Sequence, residues 1–122
     1  MAKKILIIDD EQNIVMALTA LIEHTGDVQV ASALNPETGV EKAKSWQPDA
    51  VLMDIYMPKI DGWEATRRIK TADETKHIPV IIMTAVLSNE LIAQVGECGA
   101  DRLIVKPCDD RDIRRLLDWL DK

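Results

Sequence analysis

Four aliphatic runs in this sequence end in a residue that can do chemistry. Asp9 and Asp10 follow Ile5–Ile8, with Glu11 behind them; Asp54 follows Ala50–Met53; Thr84 follows Val80–Met83; Lys106 follows Leu103–Val105. Each has an ordinary reading on its own. An Asp after a strand often caps the next helix. Asp54, placed before Pro58 and Asp61-Gly62, could start a turn. Thr84 could be a cap or turn residue, and Lys106 a solvated end. Together they imply more. Carboxylates gathered in one pocket repel, and at a few ångströms each pair costs kilocalories unless a cation intervenes. Lys106 supplies one positive charge, and a hard divalent ion would supply the rest. An open carboxylate site suits magnesium, which keeps several of its waters. A magnesium ion, an ammonium and a hydroxyl around a carboxylate describe phosphoryl transfer. The carboxylate can itself be the nucleophile and form an aspartyl phosphate. Asp54 is the natural nucleophile, with Asp9 and Asp10 as a metal-holding pair.

The elements must bring these residues together. The strand-length runs are Ile5–Ile8, Val28–Ala31, Ala50–Met53, Val80–Met83 and Leu103–Val105. Helical segments lie between them. Ile14, Val15, Leu18, Leu21 and Ile22 recur at helical spacing, and Gly26 is placed to cap that helix. Asn35 and Pro36 open a second helix, running to about Trp46. A third starts after Gly62 and ends near Thr71, and a fourth runs from Ser88 to before Gly99. Ile113, Leu116, Leu117 and Leu120 stripe a fifth. This alternation predicts parallel strands with right-handed crossovers and helices on both faces of the sheet. Buried parallel strands read as continuous apolar runs. Val28-Gln29-Val30 is interrupted, which marks an edge strand and favours the flavodoxin-like order 2-1-3-4-5. In that order the polar ends converge on one rim near the switch point between the first and third strands.

Composition narrows the function classes. The chain has 122 residues, the length of one domain, and we expect residues 1–122 to form one. It is 47% hydrophobic and 30% charged, a globular balance. Acidic residues outnumber basic ones 21 to 15, giving a net charge of −6, which speaks against nucleic-acid binding. No apolar run approaches a membrane span, and the amino-terminal apolar run is too short for a signal peptide. Cys98 and Cys108 show no metal-ligand spacing; with no secretion signal, the expected location is cytoplasmic. They read as small apolar fillers. His24 and His77 read as surface residues, and Trp46, Trp63 and Trp119 as packing at helix margins. Gly96, inside the fourth helix, is expected to permit close packing; the alternative is that it loosens the helix.

At this point the sequence resembles the receiver domain of two-component response regulators. The resemblance spans the whole chain. It rests on Asp9-Asp10, on the stretch from Asp54 through Tyr56, Pro58 and Asp61-Gly62, on Thr84-Ala85, and on Gly99-Ala100-Asp101 leading to Lys106-Pro107. It implies that Asp54 accepts a phosphoryl group from a phosphohistidine on a sensor histidine kinase or phosphotransfer protein. It implies that Asp10 and Asp54 hold magnesium, aided by the Tyr56 backbone carbonyl, while Asp9 acts mostly through water. Thr84 and Lys106 would bind the phosphoryl oxygens, and the Lys106–Pro107 bond would be cis. Output would pass to a downstream protein target or a linked output domain, and a phosphorylation-dependent dimer is left open. Two positions depart from the pattern. Leu103 stands where the family often has an aromatic residue, and Cys108 where a Phe often follows Lys-Pro.

Two other classes compete. A magnesium-dependent phosphatase with an aspartyl nucleophile usually carries a second Asp two residues on, where this chain has Tyr56. A flavodoxin-type cofactor protein needs a Ser/Thr/Gly-rich phosphate loop after the first strand, where Asp9-Asp10-Glu11 would repel a phosphate.

Overall fold

A computed structural model describes residues 3–55, 61–85 and 87–121. Strands β1 (Lys3–Ile8), β2 (Val28–Ala33), β3 (Ala50–Asp54), β4 (Val80–Thr84) and β5 (Arg102–Val105) alternate with five helices. These are α1 (Gln12–Thr25), α2 (Pro36–Trp46), α3 (Gly62–Thr71), α4 (Asn89–Glu97) and α5 (Asp110–Leu120). All strand pairs are parallel, in the order β2-β1-β3-β4-β5. This is the flavodoxin-like arrangement expected from the runs. The polar-interrupted β2 is indeed an edge, and it extends two residues further than its apolar run.

Side chains alternate across a strand, so the sheet divides its apolar residues between two cores. Ile5, Ile7, Ala50, Leu52, Ile81 and Met83 pack with Val15, Leu18 and Ile22 of α1 and with Ile113 and Leu116 of α5. Leu6, Ile8, Val51, Met53, Val80 and Ile82 pack with Val40 and Ala43 of α2, Ala65 and Ile69 of α3, and Leu91 of α4. Strands β3 and β4 are buried along their whole length. Registers align their carboxyl ends: Ile8 pairs with Met53, Asp54 with Met83, and Thr84 with Val105. Residues that follow these strands therefore share one rim.

Helix starts are fixed by short polar side chains. Asn35 Oδ1 accepts the Thr38 N–H, with Pro36 in the first turn, as the sequence predicts. Asp61 accepts from Glu64, and Ser88 from Leu91. Asp109 and Asp112 cap each other reciprocally at the start of α5. Helix ends hold two surprises. Gly26 does follow α1, and its N–H bonds the Ile22 carbonyl, but its φ of −170° is extended, so the position makes no special demand for glycine. Among the described residues, positive φ falls instead at Gly99, 87°, after α4, and at one non-glycine, Gln47, with φ 53°, after α2. Its side-chain amide donates to the carbonyls of Lys44 and Glu74, which ties the end of α2 to the turn after α3.

Gly96 corrects the sequence reading. A methyl group placed there would meet nothing within 4 Å, so close packing does not require the glycine, and it loosens α4 instead. The other quiet residues behave as expected. His24 and His77 are exposed, Cys98 is buried, and Cys108 packs at the margin of the α1–α5 core. Trp46 and Trp63 border one core and Trp119 the other. No helix of the described residues is long and apolar enough to cross a membrane.

Candidate functional site

The site sits on the rim where β1, β3, β4 and β5 end. Asp9 leaves β1 fully buried, and its Oδ1 accepts the Glu11 N–H at 2.9 Å. That bond turns the chain toward α1 without making Asp9 the helix cap, a position taken by Glu11. Asp10, one residue on, is exposed. Asp54 closes β3 and is 6% exposed. Carboxylate oxygens of Asp9, Asp10 and Asp54 all lie within 4.8 Å of one another. At that separation each like-charge pair costs about 3 kcal/mol with an effective dielectric near 20.

Lys106 answers part of that charge. Its Nζ lies 3.3 Å from Asp54 Oδ1 and 3.4 Å from Asp9 Oδ2. Burial works against the ammonium, but Asp54 and Asp9 outweigh it and raise its pKa above the ordinary lysine value. For Asp54 the balance goes the other way. Burial pushes its carboxyl above the ordinary range, Lys106 pulls it down, and Asp9 and Asp10 push it up. The ammonium is therefore shared between two carboxylates and does not fully neutralise either. A cluster of three hard oxygen donors still short of positive charge suits a divalent cation such as magnesium.

Thr84 is buried at the end of β4, and its carbonyl accepts the Lys106 N–H at 2.6 Å. This bond fixes the backbone from which the lysine side chain reaches across to Asp54 and Asp9. The Lys106–Pro107 peptide is cis. Thus the structure brings Asp9, Asp10, Asp54 and Lys106 together, and places Thr84 at the end of the strand between β3 and β5. Tyr56, expected to offer a carbonyl to the metal, lies outside the described residues.

Two other motif residues stand elsewhere. Asp101 is at the opposite end of the sheet, where Oδ2 accepts the Val80 N–H and the Lys70 ammonium, both at 2.9 Å. It clamps α3, β4 and β5 and touches no residue of the rim. Gly62 is nearer to the chemistry than its place in the sequence suggests. It begins α3 directly against the backbone of Asp54 and Ile55. A glycine beside the helix-capping Asp61 is the only sequence signal of that approach.

Known proteins share both sequence and fold with this chain. Residues 5–118 match the family described as response regulator receiver domain. Protein PilH of Pseudomonas aeruginosa is 37% identical over 94% of this chain and 94% of its own length. The chain spans 46% of two longer transcriptional regulators that it matches at 33% and 35% identity. The amino-terminal domain of a response regulator receiver protein from Methanoculleus marisnigri is 32% identical, with 95% of this chain and 94% of that one covered and a TM-score of 0.78. The receiver domain of the sensor histidine kinase PA1611 from Pseudomonas aeruginosa shares the fold at a TM-score of 0.89, with 24% identity and full coverage of both chains; that structure has a magnesium ion coordinated in its active-site cleft. None of these likenesses favours the phosphatase reading. A parallel sheet in this strand order, an acidic rim with a lysine across it and a family match over nearly the whole chain lead to one conclusion: this chain belongs to the response regulator receiver domains, the phosphoacceptor switches of two-component signalling.

Proposed function

We propose that Asp54 is the phosphoacceptor of this receiver and that residues 1–122 act as one switch unit. The reading is carried by one observation: a buried carboxylate held by a lysine ammonium 3.3 Å away, beside two further carboxylates. In the transfer, an Asp54 oxygen attacks the phosphorus of a phosphohistidine on a sensor histidine kinase or phosphotransfer protein. The P–N bond breaks, and the imidazole nitrogen keeps its electron pair. Lys106 exchanges its carboxylate contacts for the phosphoryl oxygens, and the Thr84 hydroxyl donates to another of them. Asp10 and Asp54 would hold magnesium directly, with Asp9 acting through water, and the ion would offset charge on the phosphoryl oxygens. The domain assists its own phosphorylation and dephosphorylation, and its output is a protein contact with a downstream target or a linked output domain.

The experiment is incubation of the purified chain with magnesium and a small acyl phosphate. We expect one added phosphoryl group by intact mass, and none in Asp54→Asn. Uptake that persists in Asp54→Asn overturns the assignment.

A further inference from the structure

We infer that Gly62 is a positioning residue for Asp54, because the missing side chain lets α3 press its first residue onto the peptide that carries the phosphoacceptor. A methyl group built at Gly62 would fall 2.6 Å from the Ile55 Cα and 3.0 Å from the Asp54 carbonyl carbon, and would press still harder on the Asp54 carbonyl oxygen. These are backbone atoms of a fully buried strand end, and they have no rotamer into which to retreat. The Gly62 N–H also donates to the Ile55 carbonyl at 3.0 Å. The chain leaving Asp54 is thus pinned by one hydrogen bond and one close contact, both supplied by the same residue. Asp61, whose side chain caps α3 by accepting from Glu64, holds that residue in place.

Gly39 provides the contrast. A methyl group there would also collide, but with side-chain atoms of the buried Ile8, Cγ1 at 2.7 Å and Cγ2 at 3.0 Å. There the strain falls on a packed side chain; at residue 62 it falls on the backbone that carries Asp54. A side chain at residue 62 would therefore tilt the Asp54 carboxylate away from Lys106 and from its acidic partners. One at residue 39 would cost packing and leave that orientation alone. A misplacement on the order of 1 Å in a reacting group can cost roughly 10²-fold in rate.

This inference rests on the assignment of Asp54 above, and its test separates the two. Gly62→Ala and Gly39→Ala are made in the full chain. Magnesium affinity and the rate of labelling by a small acyl phosphate are measured at a temperature where each variant is folded by circular dichroism. We expect Gly62→Ala to label at least roughly tenfold more slowly even at saturating magnesium, and Gly39→Ala to label like wild type despite a lower melting temperature. Wild-type labelling and affinity in Gly62→Ala would overturn the inference and leave Asp54 as the phosphoacceptor. A wild type that neither labels nor binds magnesium would overturn both. If Gly62→Ala does not fold, magnesium is titrated into isotope-labelled wild type. The Gly62 amide resonance should then move more than that of Gly39. A Gly62 signal that stays still while Asp54 and Asp10 move would overturn the inference.

Discussion

The Nζ of Lys106 stands 3.3 Å from Oδ1 of Asp54, across 52 residues of chain. It is the shorter arm of a shared arrangement rather than a tight pair, since the same ammonium also reaches Asp9 at 3.4 Å. Removing it leaves the acidic rim with no internal countercharge among the described residues. Lys106→Met should therefore be destabilised without divalent ions, and should gain more melting temperature from added magnesium than wild type does. Thermal melts with and without the ion check the sign. Labelling should fall about 10²-fold, in the range seen when a donor to a developing charge is lost.

The raised pKa of Asp54 makes stability depend on pH in a stated direction. A folded carboxyl whose pKa lies above the ordinary value binds its proton more readily than the unfolded chain does. Ionised Asp54 therefore costs stability at neutral pH, and the cost is relieved as pH falls through the raised value toward the ordinary one. Without metal, Asp54→Asn should melt higher than wild type at pH 7. The difference should shrink on acidification and vanish below the ordinary aspartate range. A difference that grows in acid would contradict this balance of burial and charge.

Magnesium should raise the melting temperature of the unphosphorylated chain, because an ion that binds only the folded state stabilises it. Asp10→Asn should abolish most of that gain and Asp9→Asn less of it. Asp9 is already engaged by the Glu11 N–H and Lys106, whereas Asp10 is exposed. Equal responses in wild type and Asp10→Asn would move the metal away from this rim.

Gly96 offers a test of α4. Since a methyl group there meets nothing, Gly96→Ala should stabilise the protein by about 0.5–1 kcal/mol. Chemical denaturation reads this directly. The same change should slow amide exchange in Asn89–Glu97 and leave exchange in α1 unaltered.

Signal output should run through α4 and the loop before it. Leu103 is partly buried against the core that holds Leu91 of α4, and it has no aromatic ring to swing. On phosphorylation, amide exchange should change most in α4 and the residues following Thr84. A dominant change in β5 with a silent α4 would refute the route.

Much of this was readable from residue order. Aliphatic runs ending in Asp9, Asp54, Thr84 or Lys106 gave both the strands and the rim, because a parallel sheet stacks the carboxyl ends of its strands together. What could not be read depends on distances between separate elements. No spacing separates Asp9, fully buried, from its exposed neighbour Asp10; the difference arises as the chain turns from β1 into α1. Nothing near Gln47 announces a left-handed φ, which is made tolerable by its bond to the distant Glu74 carbonyl. Gly96 and Gly62 look alike in sequence, each a glycine beside an acidic residue. One faces open space and the other the backbone of Asp54 and Ile55, and only the packing of α3 and α4 tells them apart.

The rim draws on four strands, and Lys106 meets Asp9 across 97 residues. On a ribosome, the acidic members emerge long before the lysine does. A nascent chain that has delivered Asp9, Asp10 and Asp54 does not yet carry Lys106, the ammonium that gathers them. If Asp54 is the acceptor, competence to receive a phosphoryl group then waits for the synthesis and docking of β5, which brings Lys106 to the rim.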